Sequence, residues 1–79
     1  MGTVVVYRNV RFVIRTNDHD PPHIHAIRGD AEAKIEIMNR SIHFSRGFTR
    51  GDLRRITNFL ASQEQILMEV WDAIHKEKE

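Results

Sequence analysis

Apolar residues follow two different spacings along this chain, and the change divides it into a strand-forming part and a helix-forming part. Residues 3–7 and 10–16 are rich in β-branched and aromatic side chains, which are typical of strands. Only Arg8 and Asn9 separate these two runs. A two-residue connection predicts a tight β-hairpin, and asparagine tolerates the positive φ that such a turn requires.

Three further strands are predicted before the spacing changes. A run at 23–28 is followed by the turn Gly29–Asp30 and then by 31–38, and Asn39–Arg40 leads into a last short run at 41–45. The run at 31–38 alternates, and its small or apolar residues share one side: Ala31, Ala33, Ile35 and Ile37. This alternation predicts an antiparallel meander of four or five strands with one buried face.

The remaining part of the chain predicts a helix. Thr49 can cap its first turn, and Asp52 stands three residues later, where a carboxylate can accept from free amides. From residue 53 to residue 78 neither glycine nor proline occurs, which predicts one long C-terminal helix. Its apolar residues recur at three- and four-residue steps or their sums: Leu53, Ile56, Leu60, Leu67, Val70, Trp71 and Ile74. This stripe is expected to pack across the buried face of the sheet.

Length and composition define the class of protein. A chain of 79 residues predicts a single α+β domain, residues 1–79, whose small core makes a partner chain or a homodimer relevant to stability. The lack of cysteine excludes disulfides and thiolate metal sites, and it fits a reducing cytoplasm. The apolar run at 4–7 is far too short for a signal peptide or a membrane span. We therefore expect a soluble cytoplasmic protein with no membrane partner.

The formal net charge of +1 conceals an uneven distribution of charge. Between residues 40 and 55 there are five arginines and a single acidic residue, Asp52. A local basic stripe can attract phosphate even when the whole chain is nearly neutral. The candidate nucleic-acid contacts in this stripe are Arg46, Arg50, Arg54 and Arg55. The alternative interpretation is a solvated helix face with internal ion pairs.

The segment NDHDPPHIH, residues 17–25, concentrates the candidate chemistry. It contains three of the five histidines of the chain: His19, His23 and His25. The prolines Pro21–Pro22 fix φ and stiffen the loop, which holds imidazoles in position at little cost in entropy. Strand alternation places His23 and His25 on one face and Ile24 on the other. If Ile24 faces the core, both imidazoles point outwards or into a groove.

Three interpretations of this segment stay open. A metal site would use His23 and His25 as a strand-borne pair. His19 or Asp18 would be a third ligand of a zinc or nickel ion, and water would complete the shell. A catalytic site would use the same three histidines as general acid and base beside an arginine, as in metal-free ribonucleases. In a structural role, the histidines would donate to loop carbonyls while Asp18 or Asp20 caps the turn.

The chain also resembles a known family over nearly its whole length. The segments that carry the resemblance are NDHDPPHIHA, RGDAEAKIEI, RGFTRGDLRRI and, in the helix, VWDAIH. They are similar to the domain-of-unknown-function 4160 family, small bacterial and phage proteins with a D-H-x-P-P-H-x-H hallmark. The matching positions are Asp18, His19, Pro21, Pro22, His23 and His25. Where many members have an aromatic residue between the last two histidines, this chain has Ile24.

The resemblance implies a function by genomic analogy, because such genes often lie beside a gene for a second small domain. That arrangement is typical of toxin–antitoxin pairs. We therefore expect a toxin-like module that acts on or binds RNA or DNA, with a small protein partner encoded nearby. The alternative is a non-catalytic protein-binding module, an antitoxin-like protein or a phage-encoded inhibitor. It would dock its partner through a sheet edge or a helix face.

Overall fold

The computed structural model describes residues 2–76 as a five-stranded antiparallel sheet and two helices. The strands lie across the sheet in chain order, and each pairs with the next. Their bounds are Gly2–Tyr7 (β1), Val10–Ile14 (β2), His23–Arg28 (β3), Ala31–Glu36 (β4) and Ile42–Arg46 (β5). This meander confirms the predicted α+β class.

The hairpin turns lie where short polar connections predicted them. Arg8 and Asn9 both have positive φ, 51° and 66°, as a two-residue turn with primed geometry requires. Gly29 opens the second turn with a φ of 59°. The last turn includes Arg40, also at positive φ, and β4 ends at Glu36 rather than at the predicted residue 38.

One face of the sheet is apolar and carries the core. Its fully buried strand residues occupy alternate positions, as predicted for β4: Val10, Phe12, Ile14, Ile24, Ala26, Ala33 and Ile35. The helices add four buried side chains at the predicted spacing: Ile56, Leu60, Leu67 and Trp71. The polar side chains that alternate with these core residues on β3 and β4 lie on the opposite face of the sheet.

The predicted single C-terminal helix is wrong, because the structure has two helices, Arg50–Ser62 (α1) and Glu64–Lys76 (α2). The predicted start is confirmed. The Thr49 hydroxyl accepts from the Asp52 amide and the Asp52 carboxylate accepts from the Thr49 amide, each at 3.0 Å. Neither helix within the described part of the chain is long and apolar enough to cross a membrane.

The break between the helices lies at Gln63. Its amide donates to the Leu60 carbonyl, three residues back, at 3.0 Å. The Ser62 hydroxyl donates to the Phe59 carbonyl at 2.6 Å, so a side chain competes with the backbone at this turn. Leu60 and Leu67 are seven residues apart, close to two helical turns. The apolar stripe therefore continues across the break, which is why spacing alone predicted one helix.

Candidate metal centre

The connection between β2 and β3, residues 15–22, folds back on itself and is named here the Asp18 loop. The Asp18 amide donates to the Arg15 carbonyl at 3.2 Å, and the Arg15 amide donates to Asp18 Oδ2 at 3.0 Å. The Asp20–Pro21 peptide bond is cis. The two hydrogen bonds between Arg15 and Asp18 hold the Asp18 carboxylate beside the first residues of β3.

His23 and His25 are buried, with only 3% and 8% of their surfaces exposed. Strand alternation places them opposite Ile24, which lies in the core. Two orientations were expected in that case, outwards or into a groove, and the burial of both rings excludes exposure to solvent. The Asp18 loop contacts both rings, and the Trp71 ring lies 5.3 Å from the His23 ring, centroid to centroid.

One carboxylate lies between the two imidazoles. Asp18 Oδ2 is 3.5 Å from His23 Nε2, and Asp18 Oδ1 is 3.7 Å from His25 Nε2. Atoms of these three side chains lie within 4.8 Å of one another. The separations are long for hydrogen bonds, but they match ligand atoms arranged around an ion at about 2.0–2.2 Å from each.

The hydrogen bond of His23 fixes which of its ring nitrogens carries the proton. Nδ1 lies 2.8 Å from the Pro21 carbonyl oxygen, which can only accept, so Nδ1 donates. In the neutral ring, Nε2 then carries a lone pair, and this lone pair faces the Asp18 carboxylate. Two hydrogen-bond acceptors that face each other repel unless a cation or a proton lies between them. A backbone carbonyl that holds Nδ1–H is also the usual support for a histidine that ligates through Nε2.

Burial favours the neutral form of the His25 imidazole. Burial lowers its pKa, the positive charge of Arg15 and the neighbouring His23 lower it further, and the carboxylates of Asp18 and Glu32 oppose this shift in part. Glu32 Oε2 lies 3.3 Å from His25 Nδ1, but the orientation does not make a hydrogen bond. His25 Nδ1 is therefore a buried nitrogen without a hydrogen-bond partner among the described residues. A neutral imidazole is the form that binds metal.

Two residues that sequence reasoning did not single out support this group. His75 Nε2 lies 2.9 Å from the Asp18 carbonyl, and its Nδ1 lies 2.8 Å from the Trp71 carbonyl, so His75 ties α2 to the Asp18 loop. Glu32 lies on β4 beside His25. The segment VWDAIH, which contributed to the family resemblance, already contains His75, whereas nothing in the spacing of Glu32 distinguishes it from other strand carboxylates.

His19, proposed with His23 and His25 as catalytic or ligating, lies elsewhere. It is exposed on the Asp18 loop and does not belong to the group formed by Asp18, His23 and His25. The structure therefore brings together three of the four candidate metal ligands.

The candidate nucleic-acid contacts are spread over the end of β5 and the first turns of α1, and all four are exposed: Arg46, Arg50, Arg54 and Arg55. Arg46 Nη2 lies 3.6 Å from Glu32 Oε1, and Arg55 Nη2 donates to Asp52 Oδ1 at 3.2 Å. Arg50 and Arg54 are one helical turn apart on α1.

Comparison with known proteins gave one result. Neither the curated proteins nor the solved structures contain a match to this chain. A family model described as a domain of unknown function, DUF4160, matches residues 9–72, a span that includes the Asp18 loop, β3 and Trp71. Because this match covers most of the sequence and agrees with the resemblance of its motifs, the chain belongs to the DUF4160 family.

Proposed function

We propose that the protein is a metal-dependent, toxin-like module that acts on nucleic acid, with Asp18, His23 and His25 as the ligands of a divalent ion. The observation that carries this proposal is the convergence of one carboxylate and two imidazoles within 4.8 Å at a largely buried position. This donor set suits zinc or nickel, with a further position for water or substrate. When bound, such an ion supplies Lewis-acid polarisation of a phosphoryl oxygen.

The surroundings of both imidazoles suit metal ligands. Burial lowers the pKa of His25 and favours the neutral ring, which is the form that binds metal. His23 donates from Nδ1 to a backbone carbonyl and directs Nε2 at a carboxylate. A histidine that binds metal through one ring nitrogen usually has its other nitrogen held by such a hydrogen bond.

The choice of nucleic acid as substrate rests on charge. Arg50 and Arg54 are exposed at the start of α1, and Arg46 is exposed at the end of β5. Clustered arginines attract phosphate groups and make binding dependent on salt. The toxin-like role, with a small protein partner encoded nearby, comes from the family resemblance.

Growth experiments test this proposal. The wild-type gene, expressed without its genomic neighbour, should slow growth and reduce total RNA. The variant Asp18→Asn, which removes the negative charge between the imidazoles, should not. Asp30→Asn is the matched control, because Asp30 is an exposed aspartate in the β3–β4 turn. Full toxicity of Asp18→Asn, or normal growth and intact RNA with the wild type, would contradict the proposal.

A second candidate function, non-catalytic protein binding, is favoured by the edge strand β5. All of its residues are exposed, including Ile42 and Phe44 at 41% and 43%. An edge strand with exposed apolar side chains can pair with an extended segment of a partner. A small protein that co-purifies in a one-to-one ratio and is lost from Phe44→Lys would support this function. Retention of that partner by the variant would exclude β5 as the docking strand.

A further inference from the structure

A cleft of about 200 Å³ lies at the other end of β3 from the histidines. The first hairpin, the last residue of β3 and the first turns of α1 form its walls. The cleft is lined by Tyr7, Arg8, Val10, Arg28, Asp52, Arg55 and Ile56. Three of these side chains are arginines and one is an aspartate, so the polar part of the lining has an excess of positive charge.

The single carboxylate in the lining of the cleft already accepts hydrogen bonds from neighbouring groups of the protein. Asp52 Oδ2 accepts from Arg28 Nη2 at 2.9 Å and from the Thr49 amide at 3.0 Å, and Asp52 Oδ1 accepts from Arg55 Nη2 at 3.2 Å. The bond from the Thr49 amide, together with the bond from Arg28, lowers the pKa of Asp52 to about 2. Asp52 therefore stays ionised and orients the guanidinium groups of Arg28 and Arg55. Its negative charge does not neutralise the positive charge of Arg8, the third arginine of the cleft.

Aromatic rings fix the positions of two of the arginines. Arg8 Cζ lies 5.5 Å from the centroid of the Tyr7 ring, and Arg8 Nε donates to the Tyr7 hydroxyl at 3.1 Å. The Tyr7 ring is itself stacked on Phe59 at 4.1 Å. Arg28 Cζ lies 5.2 Å from the centroid of the Phe48 ring. A ring contact occupies the face of a guanidinium and leaves N–H groups at its edge to donate to an anion.

We propose that this cleft binds a phosphate group. Phosphate offers several acceptor oxygens and, near neutral pH, one negative charge as a diester or about two as a monoester, and arginine forks match it in charge and in geometry. The volume of the cleft accommodates a phosphate with part of the ribose attached to it. The group can come from a free mononucleotide or from the backbone of an RNA strand.

The phosphate cleft is separate from the candidate metal centre. Arg28 ends β3, three residues after His25, and alternation places it on the face of Ile24 and Ala26. A phosphate bound there does not reach His23 or His25. The proposal therefore stands on its own contacts and does not depend on metal binding.

Calorimetric titration with inorganic phosphate tests the cleft directly. The double variant Arg8→Gln with Arg55→Gln should bind phosphate at least about tenfold more weakly than wild type, as expected when charge-assisted hydrogen bonds are lost. The matched control is Arg11→Gln, which removes an exposed arginine outside the cleft. Its affinity should equal that of wild type.

The source of the phosphate is identified by two further titrations, with a ribonucleoside 5′-monophosphate and with a short RNA that has no terminal phosphate. Competition of the RNA with inorganic phosphate identifies a backbone phosphate, and competition of the mononucleotide alone identifies a free ligand. Either result supports phosphate binding in the cleft.

Three results would overturn the proposal. These are no binding of inorganic phosphate by wild type at roughly 10 mM, an equal loss of affinity in Arg11→Gln, and unchanged affinity in the double variant. If the double variant does not fold, Arg8→Gln alone decides, since the hydrogen bond and the ring contact of Arg8 are both made with the neighbouring Tyr7. If folded Arg8→Gln binds phosphate with wild-type affinity, the proposal that the cleft binds phosphate is equally overturned.

Discussion

The two faces of β3 are both buried, but by different means. On one face Ile24 and Ala26 are fully buried under the helices, among other apolar side chains. On the other face His23 and His25 are buried under the Asp18 loop, next to a carboxylate. Burial of an apolar side chain stabilises the fold, whereas burial of an imidazole costs free energy unless its nitrogens are paired.

This difference fits the proposal that one face of β3 serves stability and the other forms a metal centre. On the helix-covered face, the buried side chains of β3 are apolar and have no hydrogen bonds to satisfy. The histidine face differs, since His25 keeps a buried nitrogen without a hydrogen-bond partner among residues 2–76. Departures of this kind are expected at functional sites, where the rest of the fold compensates for their cost. The two faces should therefore respond to mutation in opposite ways.

The largest effect is expected at Trp71, which joins the core and also contacts His23. Trp71→Ala should lower the free energy of unfolding by about 3–5 kcal/mol, because a large buried ring leaves a cavity. That is a large fraction of the total stability of a small domain. Urea denaturation measures the loss. The matched control is Ile66→Ala on the same helix, where the exposed side chain should change stability by about 0.5 kcal/mol or less.

Unfolding of Trp71→Ala at the same urea concentration as wild type would show that α2 does not depend on this ring for packing. The helix-covered face would then not be the face of β3 that stabilises the fold.

A smaller effect of opposite sign is expected at His25. In the absence of metal, His25→Leu should leave the free energy of unfolding unchanged or raise it by up to about 1 kcal/mol. The reason is that an apolar side chain of similar size removes a buried nitrogen that lacks a partner. Chemical denaturation in the presence of a chelator measures this change. A loss of about 1–3 kcal/mol instead would mean that His25 has a structural role.

The smallest effect is a pH dependence. Burial lowers the pKa of His25 below its ordinary value of 6.5, with contributions from Arg15 and His23 that outweigh Asp18 and Glu32. Between pH 6.5 and the lower folded pKa, the unfolded chain therefore binds more protons at this position than the folded chain. The free energy of unfolding is accordingly highest above pH 6.5 and falls as the pH decreases through the folded pKa, below which this residue causes no further change. Denaturation of metal-free protein between about pH 5 and pH 8 measures the slope.

His25→Leu is the control for this slope, since all other titrating groups stay in place. Its stability should fall less than that of wild type as the pH decreases from 6.5. Parallel curves for the two proteins would contradict the assigned direction of the His25 shift.

The sequence predicted the parts of the fold that depend on local rules. Positive φ at Arg8 and Asn9 follows from a two-residue connection between strands, and the buried positions of β4 follow from alternation. The helix break at Gln63 escaped prediction, since Leu60 and Leu67 keep the same spacing that a continuous helix would have.

The candidate sites were predictable only in part. The motif of residues 17–25 brought Asp18, His23 and His25 to attention. Their burial could not be predicted, because a loop that covers a sheet face leaves no periodic pattern in the sequence. The phosphate cleft was also hidden, because Arg8, Arg28 and Arg55 come from three separate elements that only the tertiary structure brings together.

Calorimetric titration of the metal-free protein with zinc tests the central claim, that the loop-covered face is a metal centre. We expect one zinc ion per chain, release of protons on binding, and a thermal midpoint that rises with zinc concentration. Asp18→Asn and His23→Ala should each remove this binding, while the control His43→Ala, an exposed histidine on β5, should retain it. Absence of binding to wild type, or equal binding by Asp18→Asn and wild type, would contradict the claim.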